Sequence, residues 1–391
     1  MVPRAVIKIS KLSGKLDNLI YAAVAFPFVV QVLPGFDTQP TFALLFVASL
    51  LLFAAQRQAF LVEWAKRPLQ LWAVFTMLFG VLISILANEE FFSSIQRIAT
   101  FALFFFSLLF GLGKTSFLTE SRLRFTLYIY AFFTTVYFLS QGFIETLLIS
   151  SRGGAFSWYL DSGRGASTLS PEPSFFAIQL ASLLLLYFFS RSNSGSPLLN
   201  GLSRSERTLV LLSVVLLIST LSGYGALYLL ILVLILGFFW LFLFVTGIAF
   251  VLIFLSETLN FRIFTLINLA AQDGLVGFLL DASIGERLRS FNDQLRMFSD
   301  TIVGNAFQNI DGGGLVSILA GLGIFSIPFF GLLFCGLVRL RQPFSIKIYA
   351  AVWLSLTSIS GPIGVPLVGI LAGYLMRCAT WRQSAGCSTT V

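Results

Sequence analysis

Long apolar runs separated by short polar stretches set the rhythm of this chain. The runs cover residues 19–33, 41–55, 69–87, 98–113, 125–149 and 173–190, each near the roughly 20 residues that a helix needs to cross a bilayer, or slightly short of it. From 209 to 255 the apolar character is broken at Ser222-Gly223-Tyr224-Gly225 and softened around Gly237, which predicts three closely spaced helices. Residues 313–338 give a further one, and 348–376 divides into two about Gly361-Pro362-Ile363-Gly364-Val365-Pro366. The pattern predicts an all-α, polytopic membrane protein of about 12 transmembrane helices, forming one integral membrane domain over residues 1–391. Arg4, Lys8, Lys11 and Lys15 precede the first run as they would in a secretory signal. No convincing small-residue cleavage site follows, so the first helix is expected to be retained with its basic end inside.

Two polar stretches carry more than a connector needs. The first, at 150–172, holds Arg152, Asp161, Arg164 and a carboxylate, Glu172, flanked by Pro171 and Pro173. It also holds Trp158 and Tyr159, an aromatic pair of the kind that settles at a membrane surface or against a sugar ring. The second, at 256–312, is patterned. Ile263, Leu266, Ile267 and Ala270 recur at helical spacing with Arg262, Thr265 and Gln272 opposite, which predicts an amphipathic helix on the membrane surface. Over 285–303 the residues Leu288, Phe291, Leu295, Phe298 and Ile302 form one apolar stripe and predict a second helix, packed through that stripe. Arg289 and Arg296 fall on the opposite face, each four residues before an acid, Asp293 and Asp300, which predicts salt-bridged pairs on a solvated face. Arg287 borders the stripe about 60° from its centre, where it can turn inward toward a cavity.

Composition sharpens this picture. The chain is 57% hydrophobic and 11% charged with a mean hydropathy of +0.91, whereas a soluble globule carries about 25% charged residues. It has no histidine, and Cys335, Cys378 and Cys387 lie in an apolar run or the C-terminal tail. That excludes a His or Cys metal cluster, a Ser-His or Cys-His nucleophile pair and a disulfide in either polar stretch. No metal and no cofactor is expected. The net charge of +8 marks topology rather than nucleic acid, for which no partner role is expected. With the N-terminus inside, the inner segments hold 18 of the 25 Lys and Arg and 4 of the 17 acids, and the outer segments hold the other 7 and 13. Positive charge therefore stays inside to the last loop, as in inserted membrane proteins. The seven outer cations are all arginine: Arg97, Arg152, Arg164, Arg262, Arg287, Arg289 and Arg296. This leans toward bidentate recognition of phosphate.

Three stretches resemble the O-antigen polymerase and ligase superfamily, and more closely the Wzy-type polysaccharide polymerases. RGASTLSPEPSFF, residues 164–176, is similar to the family's arginine and glycine stretch ending in an acid-Pro-Ser-Phe helix start. GERLRSFNDQLRMFSDTIVGNAF, residues 285–307, resembles the long outer loop in which an arginine precedes a helix ending near a glycine, here Arg287 and Gly304. STLSGYGALYLL, residues 219–230, is like the Ser/Thr-Gly break that opens a middle helix. Arg152 followed by ten residues and Gly163 also fits the Arg-x10-Gly pattern of polymerase loops, a spacing from which the second loop departs. Ligases of the superfamily carry a histidine late in the long loop, where this chain reads Asn309-Ile310-Asp311-Gly312, so the resemblance favours polymerase over ligase.

The resemblance implies a GT-C type transferase, multi-pass in the bacterial inner (cytoplasmic) membrane with its site facing the periplasm, in polysaccharide or lipopolysaccharide biosynthesis. Its substrates would be oligosaccharides on undecaprenyl pyrophosphate, its surroundings the lipid bilayer, and a chain-length regulator a partner it leaves room for. A pyrophosphate leaving group needs fixed positive charge, a role for Arg164 and Arg287, with Arg152 third and Arg289 and Arg296 as further cations. The acceptor hydroxyl needs a base, for which Glu172 is best placed; its other reading is an acid stabilising the start of a helix. Asp161 and Asp311 are reserve carboxylates, and Trp158 and Tyr159 are candidate sugar contacts. Two alternatives stay open: an O-antigen ligase, and a lipid-linked oligosaccharide flippase or other transporter. The latter class buries ionisable residues at mid-bilayer, where only Glu145, near Gln141, is expected here.

Overall fold

The structure is a computed structural model. It describes residues 16–26, 30–33, 36–38, 57–87, 91–113, 118–139, 165–166, 173–191, 203–236, 282–305, 314–360 and 365–379, with isolated positions at 47, 50–51, 53–54 and 247. Among the described residues the fold is all-α apart from one short antiparallel strand pair. In chain order the described elements are α1 (Leu16–Ala25), strands β1 (Val30–Leu33) and β2 (Phe36–Thr38), α2 (Arg57–Ala65), α3 (Pro68–Ala87), α4 (Phe91–Gly113) and α5 (Glu120–Leu139). Then come α6 (Pro173–Arg191), α7 (Arg204–Ser219), α8 (Gly223–Leu236), α9 (Ala282–Asp300), α10 (Val316–Leu322), a 3-10 turn (Gly323–Ser326), α11 (Ile327–Arg339), α12 (Phe344–Ser360) and α13 (Pro366–Ala379).

Most breaks fall where backbone chemistry demands them. The interruption between α12 and α13 coincides with the Gly-Pro run, and Pro366 opens α13 where its missing N–H costs nothing. Ser203 and Glu206 form a capping box at the start of α7, the Ser203 N–H donating to Glu206 Oε2 at 2.7 Å. One expectation is corrected. The first apolar run is not one helix to Leu33: α1 ends at Ala25, and Val30–Leu33 pairs antiparallel with Phe36–Thr38. Pro27 follows two residues on, and a proline disfavours helix in the residue before it. The Ala25 carbonyl left over at the helix end accepts from the Tyr130 hydroxyl and from Gln179 Nε2 (2.8 Å). Between the second and third runs Arg57–Ala65 is helical.

The core is organised around α13, every residue of which is buried except Arg377. Its Gly369 and Gly373 stand four apart, the small-residue spacing that lets helix backbones approach closely. A Cβ at Gly373 would lie 2.3 Å from the Leu108 carbonyl oxygen, so only glycine allows α13 to sit this close to α4. Phe189 of α6 stacks on Tyr374 with centroids 4.8 Å apart, Gln70 Nε2 of α3 donates to the Met376 carbonyl at 3.0 Å, and Trp353 Nε1 of α12 donates to Ser182 Oγ of α6 at 2.7 Å.

The outer surface is apolar as well. Leu69, Trp72, Phe75, Phe79, Leu82 and Leu86 stand exposed along α3, Phe125, Tyr128, Phe132 and Leu139 along α5, and Phe334 and Val338 on α11. Among the described residues one helical stretch, Val316–Arg339 at 24 residues, is long and apolar enough to cross a membrane, and seven shorter apolar helices accompany it.

Candidate functional site

The second polar stretch supplies a helix where one is predicted, but a different face of it meets the bundle. On α9 the side turned to the bundle centres on Gln294, 1% exposed, with Arg287, Ser290 and Met297 half-buried along the same line. The apolar stripe lies roughly a quarter turn away. There Leu288 and Leu295 are 37% and 38% exposed, Ile302 is 68% exposed, and only Phe291 and Phe298 are half-buried. The expectation that the stripe packs inward is therefore corrected in part: the inward line runs through Gln294, and only the Phe291 and Phe298 edge of the stripe joins it. Gln294 Nε2 donates to Ser290 Oγ at 3.2 Å along this line, one way of keeping buried polar atoms satisfied.

The far end of α9 is seated in the break of the Val316–Arg339 stretch. Gly304, at φ 89°, turns the chain so that the Asn305 N–H donates to the Ala320 carbonyl at 3.2 Å, and the Ile324 N–H donates to the Ile302 carbonyl at 2.8 Å. Gly323, at φ 55°, forms the other half of the contact. Both glycines hold a backbone conformation that side chains resist.

At the near end Arg287 does turn inward. Its Nη2 donates to Ser174 Oγ at 3.2 Å, and its guanidinium carbon lies 5.0 Å from the centre of the Tyr224 ring. Ser174 is the second residue of α6 and buried; Tyr224 is the second residue of α8. The guanidinium thus meets the first turns of two helices, whose N–H groups and dipoles both favour an anion.

The segment that presents Tyr224 is tightly built. Ser222 caps α8, its Oγ accepting from the Gly225 N–H at 3.0 Å, and its hydroxyl is 3.0 Å from Thr220 Oγ1. Leu221 between them has φ 45°, a left-handed conformation that is costly for a branched side chain and that clusters at functional sites. The first polar stretch docks on the same segment: the Gly165 N–H donates to the Thr220 carbonyl at 3.2 Å and the Ala166 N–H to the Ser219 carbonyl at 2.9 Å. The three stretches singled out by resemblance, far apart in sequence, therefore meet around Arg287.

The other predicted residues divide into two groups. Arg289 and Arg296 are exposed on the side of α9 roughly opposite Arg287. Neither forms the expected ion pair with Asp293 or Asp300; ion pairs among the described residues include Lys66–Glu63, Arg67–Glu63 and Arg124–Glu120. Glu172, Arg164, Arg152, Asp161, Trp158, Tyr159 and Asp311 lie outside the described residues, as do the amphipathic helix expected around 263–270 and Glu145. Sequence reasoning missed Ser174, Tyr224, Ser290 and Gln294. A signal existed for the last two, since positions three and seven after Arg287 share its helix face. The chain matches no family model, and no curated protein or solved structure is significantly similar to it.

Proposed function

We propose that the chain is a Wzy-type polysaccharide polymerase with a GT-C type fold of about 12 transmembrane helices, spanning the bacterial inner membrane with α9 on the periplasmic side. It moves a growing glycan from undecaprenyl pyrophosphate to the acceptor sugar of a lipid-linked repeat unit. The observation that carries this reading is Arg287 held on Ser174 and Tyr224 at the starts of α6 and α8. A guanidinium fixed between two helix N-termini stabilises the charge that grows on a departing pyrophosphate, with no metal required of the protein. The apolar outer faces of α3, α5 and α11 suit a lipid environment.

Glu172 immediately precedes Pro173 and stands two positions before Ser174 in the sequence. As the base it takes the proton from the acceptor hydroxyl as that oxygen attacks the anomeric carbon. Arg164 immediately precedes Gly165, whose N–H rests on Thr220, and is assigned to the same pyrophosphate.

Lipid-linked and transferred glycans from a deletion strain test the reading. Loss of a polymerase leaves single repeat units on the acceptor. Loss of a ligase leaves polymer on its lipid carrier, and loss of a flippase leaves no glycan outside; either result would replace the proposal.

A further inference from the structure

A cation over an aromatic ring is attracted by the ring's electrons, and arginine is the side chain that makes this contact most often. The geometry points to Tyr224 as the residue that positions Arg287 through its ring. This rests on the polymerase reading and adds a residue to its site. The Arg287 Cζ lies 5.0 Å from the Tyr224 ring centre, within the range where ring electrons attract a cation, and the attraction grows where water is excluded. Ser174 Oγ accepts from Arg287 Nη2 at 3.2 Å and adds a directional contact to the same guanidinium.

The ring is itself held. Tyr224 packs on the core, one turn before Tyr228, which is buried and meets the Tyr349 ring edge-on at 6.0 Å. The Ser222 cap and the left-handed Leu221 set the direction in which α8 starts, and thereby where the ring stands. An Arg–Tyr contact can also serve packing alone. The two roles separate because packing depends on the ring's volume, whereas cation attraction depends on its electron density.

The experiment uses the full-length chain in its own membrane, as the sole copy in a deletion strain. Tyr224→Phe, its 4-fluoro, 3,5-difluoro and 3,4,5-trifluoro analogues introduced by nonsense suppression, and Tyr224→Leu are compared with Arg287→Ala. The readouts are polymerisation rate, glycan chain length and protein level. Tyr224→Phe is expected to keep most of the rate, and each added fluorine to lower it, reaching about 5- to 30-fold for the trifluoro ring at unchanged protein level. Tyr224→Leu should fall at least as far. The near-isosteric fluorine series decides even if the leucine variant fails to accumulate. A flat series beside a collapsed Arg287→Ala ladder would overturn this inference alone. A normal ladder from Arg287→Ala would overturn the polymerase reading and this inference with it.

Discussion

Two helices of this protein bury one side or more of themselves for opposite purposes. α13 is buried on nearly every side by apolar atoms and close backbone approach, with Gly373 setting its distance to α4. α9 buries Gln294, half-buries Arg287 and Ser290 beside it, and leaves Leu288, Leu295 and Ile302 more exposed. Burial of a charged or amide group gains less than burial of leucine and is costly if any partner is lost. A helix that turns such a face inward and its leucines outward is organised for what it holds. α13 is scaffold, whereas α9 carries the guanidinium that meets the starts of α6 and α8.

The contrast breaks most visibly at Arg287. Arg287→Ala should lower polymerisation by about 10² to 10³ with protein level unchanged, because it removes one preorganised donor to developing charge. Arg287→Lys should rescue poorly, since an ammonium cannot make two parallel bonds. Glycan ladders and immunoblots of the same membranes check both. In α13, Gly373→Leu should act the other way round: less folded protein, with a cost of at least about 1 to 3 kcal/mol from overpacking, visible as a lowered melting temperature in detergent.

Neighbouring positions on α9 sharpen the comparison further. Gln294→Leu removes a buried amide that donates to the half-buried Ser290 and should cost about 0.5 to 1.5 kcal/mol in thermal stability. For Leu295→Asp, one residue on, the apolar stripe alone predicts a charge placed in a packed contact. With that side chain 38% exposed, a shift below about 1 kcal/mol is expected instead, and a larger loss than at Gln294 would show that the stripe is covered in the working state. Smallest of all, Arg289→Ala should leave the ladder within about twofold of wild type, because its side chain is exposed on the side facing away from Ser174 and Tyr224.

The site was legible in parts. Arg287 could be singled out because its position beside the stripe differs from that of Arg289 and Arg296 by helix geometry alone. Its partners could not, since Ser174 and Tyr224 are 113 and 63 positions away, and nothing local to either says that α6 and α8 begin side by side under α9. The three resembling stretches were a hint of proximity without a geometry.

By itself the sequence determined where helices start and stop. Proline at 173 and 366, the Ser203–Glu206 box and the Gly-rich interruptions act through neighbouring backbone groups, and the described helices begin and end at them. It determined less well where apolar character continues without helix: the run to Leu33 contains Pro27 and ends in a hairpin. What only the tertiary structure decided is which face of α9 turns inward. An apolar stripe points to the core when everything outside is water. Here the outward faces of α3, α5 and α11 are as apolar as the inside. Hydrophobicity then no longer distinguishes in from out, and the choice falls to the few groups that demand specific partners: a guanidinium needing an acceptor and a ring, and an amide needing a hydroxyl.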